Sequence, residues 1–344
     1  MPRKTQQNDI TSPELLEKIN PKNKRLMKDY LLYLKSIQRA ETTIKSYQND
    51  LEIFFVWLLQ NVDNKFFANI TKRDIIAFQN YLLTENGNSP ARIRRIKATL
   101  SSLSGYIENI LDDDEDFKGF KNIIHKIESP VNQAVREKTV FQDEDIEQLL
   151  KHLVDKKQYQ KACLVALAMA SGRRKSELVR FKVSYFTENN IIYGSLYKTP
   201  EPIKTKGRGN GKYLYVYTIV GLFKPYLDIW LSEREKLGIE SEWLFVKKEN
   251  DGIYSQLPAD TLNSWANTFS KILGKDFYWH SLRHFYVTRL SEQGVPDGVI
   301  QEIVGWSTGD MVKIYCDRSV DSQIGDYFDE NGIKQVDKKS LSDL

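Results

Sequence analysis

The chain has 344 residues, of which 41% are hydrophobic and 12% aromatic. That is enough for two cores and too apolar for wholesale disorder. The formal charge of +4 neither requires nor excludes a polyanionic partner, and two cysteines, Cys163 and Cys316, exclude a disulfide framework or a four-thiolate zinc site. Apolar stretches such as Ile53–Leu59 and Leu164–Ala170 fall far short of the roughly 20 residues that cross a bilayer. The polar start MPRKTQQNDI lacks a signal-peptide core. A cytoplasmic protein with reduced thiols and no membrane association is expected.

Residues 1–21 read as an N-terminal tail. From Lys22 to Ile37, Leu26, Tyr30, Tyr33, Leu34 and Ile37 recur at helical spacing. A second helix runs from Thr42 to Leu59. Thr71 opens a third, with Asp74 as a partial capping signal. Pro90 suits the first position of a fourth. That helix carries Ile93, Ile96, Leu100, Leu103 and Ile107 on one face and Arg92, Arg94, Arg95 and Lys97 on the other. A helical domain over 22–111 is expected, then a linker over 112–139 that opens with the acidic run Asp112–Asp116.

A second domain is expected over 140–330, with a tail over 331–344. Helices start at Asp143 and span Tyr159–Ala170. Val183–Tyr185, Ile191–Tyr197 and Tyr213–Thr218 read as short strands. Helices return over Val220–Leu237, 258–273, 281–293 and 297–304. The fold class is mainly α with a small antiparallel β-sheet.

The modest net charge conceals segregation. Residues 21–110 carry 14 basic and 8 acidic side chains; residues 112–147 carry 5 and 11; residues 171–224 carry 11 and 3. A basic-lined clamp of two domains with an acidic hinge would produce this pattern. Ordinary surface clustering would too.

Four constellations carry chemistry. Lys204-Thr-Lys206-Gly-Arg208-Gly-Asn-Gly-Lys212 reads as a basic hairpin tip, because strand-like segments rather than a helix flank it. Gly172-Arg173-Arg174-Lys175-Ser176-Glu177-Leu178 follows the most apolar helix. An arginine there needs an anionic partner, and Glu177 could orient it. His280 and Arg283 share a helical face, which suits a phosphate or oxyanion. Tyr315 lies nine residues after Gly305-Trp306. No metal-ligating spacing is present, so no metal site is expected.

In this order and spacing the motifs resemble the tyrosine recombinase (phage integrase, Xer-like) family, over about residues 22–330. Gly172–Leu178 is similar to the family's Gly-Leu-Arg-x-Ser-Glu-Leu box. His280-x-x-Arg283-His284 is similar to its His-x-x-Arg box. Thr-Lys206-Gly resembles its hairpin lysine, and Glu41–Leu51 the start of its SAM-like core-binding domain. The resemblance implies that domain at the N-terminus and a DNA breaking-rejoining catalytic domain behind it. No arm-binding domain of the lambda type is expected ahead of residue 22.

The resemblance further implies a site-specific recombinase or integrase of a mobile element or phage. It would act on double-stranded DNA at specific recombination sites as a homotetramer, with no cofactor. Tyr315 would be the nucleophile, forming a 3′-phosphotyrosyl link. Arg174, Arg283 and Trp306 would contact the phosphate, with His280 and Lys206 moving protons and Glu177 behind Arg174. Arg173 stands where the family prefers an apolar residue, so Arg174 is assigned by register. Lys204 and Lys212 compete with Lys206. Arg92, Arg94, Arg95, Lys97, Lys204 and Arg208 are the expected DNA-binding residues. The alternative from another class is a catalytically silent DNA-binding repressor that retains the fold.

Overall fold

The structure is a computed structural model that describes residues 10–131, 139–205, 211–316, 318, 328–329 and 332–333. They form two compact units, one over residues 10–131 and the other over 139–205 and from 212 onward.

The first unit is helical. Where a tail was expected, Ser12 caps a short helix α1 (Pro13–Lys18), accepting from the Leu15 amide at 3.3 Å. Ile10 and Ile19 pack into the core on either side of it. Asn20 then caps α2 (Pro21–Ser36), with Pro21 at its first position. α3 (Glu41–Asn61) buries Ile44, Leu51, Phe54, Phe55 and Leu58. Thr71 and Asp74 form a reciprocal capping box at the start of α4 (Lys72–Asn80). Asn86-Gly87 leads, by way of the Ser89 cap, into α5 (Pro90–Ile110). The acidic run 112–116 is exposed, but Phe117 and Ile124 beyond it return to the same core. The segment expected to be a solvated linker is therefore partly a lid on the helical unit.

The second unit is built around α7 (Tyr159–Ser171). It is apolar all round and buried from Ala162 to Ser171, as a central helix must be. α6 (Asp143–Asp155) precedes it and α8 (Lys175–Leu178) follows. Val183–Tyr185 is a 3-10 turn rather than a strand, closed by the Phe186 amide on the Val183 carbonyl. Ile191–Tyr197 is not one strand either. Tyr193 and Gly194 take positive φ, 52° and 66°, and fold it into a hairpin of β1 (Ile191–Ile192) and β2 (Leu196–Lys198).

Tyr213–Thr218 also divides. β3 (Ile203–Lys204) pairs with β4 (Tyr213–Leu214), while β5 (Tyr217–Ile219) joins β2 in an antiparallel β1-β2-β5 sheet. α9 (Val220–Lys236) follows as expected. A hairpin of β6 (Val246–Lys248) and β7 (Tyr254–Gln256) was not foreseen. α10 (Thr261–Leu273), α11 (Trp279–Glu292) and α12 (Asp297–Val304) are present, and α13 (Asp310–Tyr315) is added. The short strands β8 (Phe328–Asp329) and β9 (Gly332–Ile333) pair near the end. No helix among the described residues is long and apolar enough to cross a membrane.

Candidate active site

Four chain segments converge on Tyr315: the turn after α7, the start of α11, the end of α12, and α13. The first is set by Gly172, which takes φ +59° to end α7. A Cβ there would stand 2.4 Å from the Tyr286 ring of α11, so only glycine allows the two helices this approach. The third is set by Gly305, at φ +76°, where a Cβ would stand 2.1 Å from Leu214 of β4. The base of the β3–β4 hairpin thereby lies against the end of α12. Lys212 Nζ also reaches the Gly305 carbonyl, at 3.4 Å.

Tyr315 is 8% exposed. Its hydroxyl is hydrogen-bonded to His280 Nε2. His284 lies one turn further along α11, stacked on the Tyr315 ring at 4.4 Å and 17°, and its Nδ1–H donates to the Tyr315 carbonyl at 3.1 Å. The Trp306 ring stands 4.8 Å from Tyr315. The Arg283 guanidinium lies 5.1 Å from the Trp306 ring and 5.6 Å from that of Tyr315. The tyrosine is thus held on several sides by the candidate set.

Arg283 is fully buried. Its Nη1 donates to the Gly172 carbonyl at 2.8 Å and its Nη2 to the Val304 carbonyl at 3.4 Å. Burial, and after it the neighbouring Arg173 and Arg174 cations, push its guanidinium down to about 9. Its Nε, the Trp306 Nε1 and the Arg173 Nη1 are buried with no hydrogen-bond partner among the described residues. Unsatisfied buried donors are costly, and three in one locality mark a place suited to an acceptor.

Arg174 is one-third exposed and forms a 3.0 Å ion pair with the buried Glu177, whose other oxygen accepts from the Arg174 amide at 3.2 Å. Glu177 therefore orients Arg174. Lys206 and Arg208 lie outside the described residues. Of the competing lysines, Lys204 is exposed on β3 and Lys212 is the one beside Gly305.

The basic face of α5 is only partly free. Lys97 is turned inward: it is 6% exposed and donates to the Ile127 and Glu128 carbonyls at 2.7 and 2.9 Å. It ties the following segment down and is not available to a phosphate, which corrects its expected DNA-binding role. Arg92 and Arg95 both pair with the wholly buried Asp50, at 2.5 and 2.9 Å, while Thr99 donates to its other oxygen. Arg95 and Arg94 keep exposed side chains, with Arg94 Nε on the Pro130 carbonyl.

The residues 139–321 match the model of the phage integrase family, more than half of the chain, and residues 26–115 match its N-terminal SAM-like domain. The chain belongs to the phage integrase family. Among its relatives, the SPbeta prophage-derived recombinase-like protein YomM of Bacillus subtilis is 28% identical over 282 residues, 80% of each chain. The tyrosine recombinase XerS of Streptococcus pyogenes is 25% identical, over 88% of this chain and 94% of that one.

Solved structures share the fold. XerH in a post-cleavage complex with a palindromic difH substrate has a TM-score of 0.62 at 21% identity, covering 83% of this chain and 79% of that one. A lambda integrase dimer on a COC′ core site has a TM-score of 0.62 at 18% identity, covering 90% and 99%. The N-terminal SAM-like domain and the catalytic-type domain of this integrase-family protein are thus both present.

Three features of the integrase were not read as site features in its sequence. His284 had a signal, since it lies four residues after His280 and hence on the same helical face. Arg173 is set aside by register in favour of Arg174. Asp50 gave no sign of being buried, because its partners are more than 40 residues away.

Proposed function

We propose that this protein is a site-specific tyrosine recombinase of a mobile element or phage, which cuts and rejoins double-stranded DNA through Tyr315. The observation that carries the reading is the Tyr315 hydroxyl on His280 Nε2, beside donors of Arg283 and Trp306 that have no partner among the described residues. In the proposed step the Tyr315 oxygen attacks the scissile phosphorus and its proton passes to His280. The bond from phosphorus to the 5′ oxygen breaks, leaving a 3′-phosphotyrosyl link, and the departing oxygen takes a proton from Lys206. Arg174, Arg283 and Trp306 donate to the non-bridging oxygens, where charge builds. Glu177 holds Arg174.

The covalent ester retains the energy of the phosphodiester, so rejoining is the reverse attack by a 5′-hydroxyl. This chemistry calls for neither ATP nor a metal ion. Exchange between two duplexes requires four strand cuts, hence a homotetramer on two specific sites. In this reading residues 22–111 are the core-binding domain, 112–139 the joining segment and 140–330 the catalytic domain. Exposed Arg94 and Arg95 of α5, and Lys204 and Arg208 of the hairpin, serve the phosphate backbone.

The test uses half-sites that the protein selects from a random duplex pool, nicked so that cleavage releases a short strand. The expected result is a covalent complex with the wild type and none with Tyr315→Phe. Equal trapping by the variant would overturn the nucleophile. Specific, salt-sensitive binding with no trapping by the wild type would indicate a silent repressor instead.

A further inference from the structure

Arg173 is 1% exposed, a cation in the interior of an α-helical unit. Its Nε donates to the Ser171 carbonyl at 3.1 Å and its Nη2 to the Ile303 carbonyl at 2.7 Å. Arg283 makes the parallel pair of bonds, to the Gly172 and Val304 carbonyls. These four carbonyls belong to the ends of two helices, α7 and α12. The last carbonyls of a helix have no partner within it, and the end carries partial negative charge. Two guanidiniums therefore join two helix ends that would otherwise be unsatisfied and mutually repelling.

Glu177, the carboxylate that acts on both cations among the described residues, is already paired with Arg174. Helix-end carbonyls hold Arg173 in place but neutralise it only in part, and burial lowers the proton affinity of its guanidinium. Such an arrangement persists where the geometry it enforces is useful. What it enforces is the position of the last turn of α12. That turn continues through Gly305, whose amide bonds the Gln301 carbonyl at 2.8 Å, into Trp306, whose amide bonds the same carbonyl at 3.0 Å.

We infer that Arg173 is a positioning residue: it latches the end of α12 onto the turn after α7, and so sets where Arg283 and Trp306 stand relative to Tyr315. The inference rests on the recombinase reading above for its catalytic consequence, and on structure alone for the latch. Arg283 by itself spans the same gap, but its Val304 bond is long. Removing Arg173 leaves the Ile303 and Ser171 carbonyls unpaired and lets the last turn of α12 drift.

The experiment compares the wild type with Arg173→Leu, Arg173→Gln and Arg173→Lys. Hydrogen exchange without DNA reads the latch directly. Amides of Gly305 and Trp306 should exchange about tenfold faster in Arg173→Leu, with α6 and α9 unchanged, since a few contacts decide local opening. Unchanged exchange at 305–306 in all three variants overturns the latch, whatever the protein does to DNA. Single-turnover cleavage of the suicide half-site reads its consequence. Arg173→Leu should slow cleavage about 10–100-fold, the scale of a misplacement near 1 Å, with half-site affinity within about twofold of wild type.

A neutral methylphosphonate at the scissile position removes the charge that Arg283 is there to meet. The Arg173→Leu penalty should shrink there, and Arg173→Lys, which keeps one bond and the charge, should recover part of the rate on the charged substrate. An equal loss on both substrates would mean a general folding defect and overturn the positioning role. If the wild type cleaves neither substrate, the recombinase reading fails, and the exchange result still decides the latch.

Discussion

The two units of this integrase-family protein anchor their arginines in opposite ways. In the helical unit, Arg92 and Arg95 rest on a buried carboxylate, Asp50, and point their remaining surface to solvent. In the other unit, Arg173 and Arg283 are buried whole and rest on helix-end carbonyls, and donors of Arg283 and Trp306 with no partner among the described residues stand beside Tyr315. A neutralised arginine is preorganised at little electrostatic cost and suits a contact that must form and release. An under-neutralised one is held at a cost that an incoming anion relieves. The first arrangement fits DNA tracking, the second a site where negative charge grows during reaction.

The comparison breaks first at Arg283. With Arg283→Gln, single-turnover cleavage is expected to fall about 10²–10³-fold, as for loss of one oxyanion donor, while half-site binding changes little. A drop of under about threefold, within the scatter of ordinary surface substitutions, would mean that the buried cation is only structural. Next is Asp50→Asn, which leaves two guanidiniums without their carboxylate. Since Arg92 and Arg95 are partly exposed, the expected loss is about 2–3 kcal/mol, below the full cost of a buried unpaired charge. Urea unfolding of the intact chain reads it. Adding Arg92→Gln and Arg95→Gln to Asp50→Asn should recover part of that loss; a strictly additive triple variant would deny the coupling.

A smaller effect tests the exposed side of the same network. Arg94→Glu with Arg95→Glu should weaken half-site binding more than Lys121→Glu with Lys126→Glu. It should also lower the slope of log affinity against log salt by about 1 for each phosphate no longer neutralised. Indistinguishable affinities for the two reversals would remove α5 from the interface.

The same contrast explains what could be read from the chain alone. Helices α2 to α5, α6, α7 and α9 followed from apolar spacing and caps, because those are local signals. Motif order alone marks Arg174, Glu177, His280, Arg283, Trp306 and Tyr315 as candidates. The strands were read poorly. Each has two or three residues, too few for a period, and Tyr193 takes a positive φ that its residue type gives no reason to expect. Lys97 had the charge of a surface residue, yet its burial is decided by carbonyls 30 residues further on. Arg173 and Asp50 share that difficulty. Whether a charged side chain faces water or the interior depends on distant partners that no window of sequence contains.

The smallest effect is also the most selective. Arg283 is held down to about 9, well below the range of a free guanidinium, so the folded state penalises its charge. That penalty is full at neutral pH and fades as pH rises through about 9, where the folded protein sheds the proton before the unfolded chain does. An anion that binds only the charged form should therefore stabilise the DNA-free protein more at pH 7.5 than at pH 10. Sulfate is the suitable probe, because it stays doubly charged at both. At ten times its dissociation constant it should contribute about 1.4 kcal/mol, or about 3–6 °C in the melting of a unit of this size. Sulfate also stabilises proteins without binding them, so the informative quantity is the excess over Arg283→Gln at each pH. An excess at pH 7.5 that vanishes at pH 10 assigns the anion to the buried cation. An excess that persists unchanged at pH 10 places it on groups that do not titrate there, and the contrast between carboxylate-anchored and carbonyl-anchored arginines would lose its functional meaning.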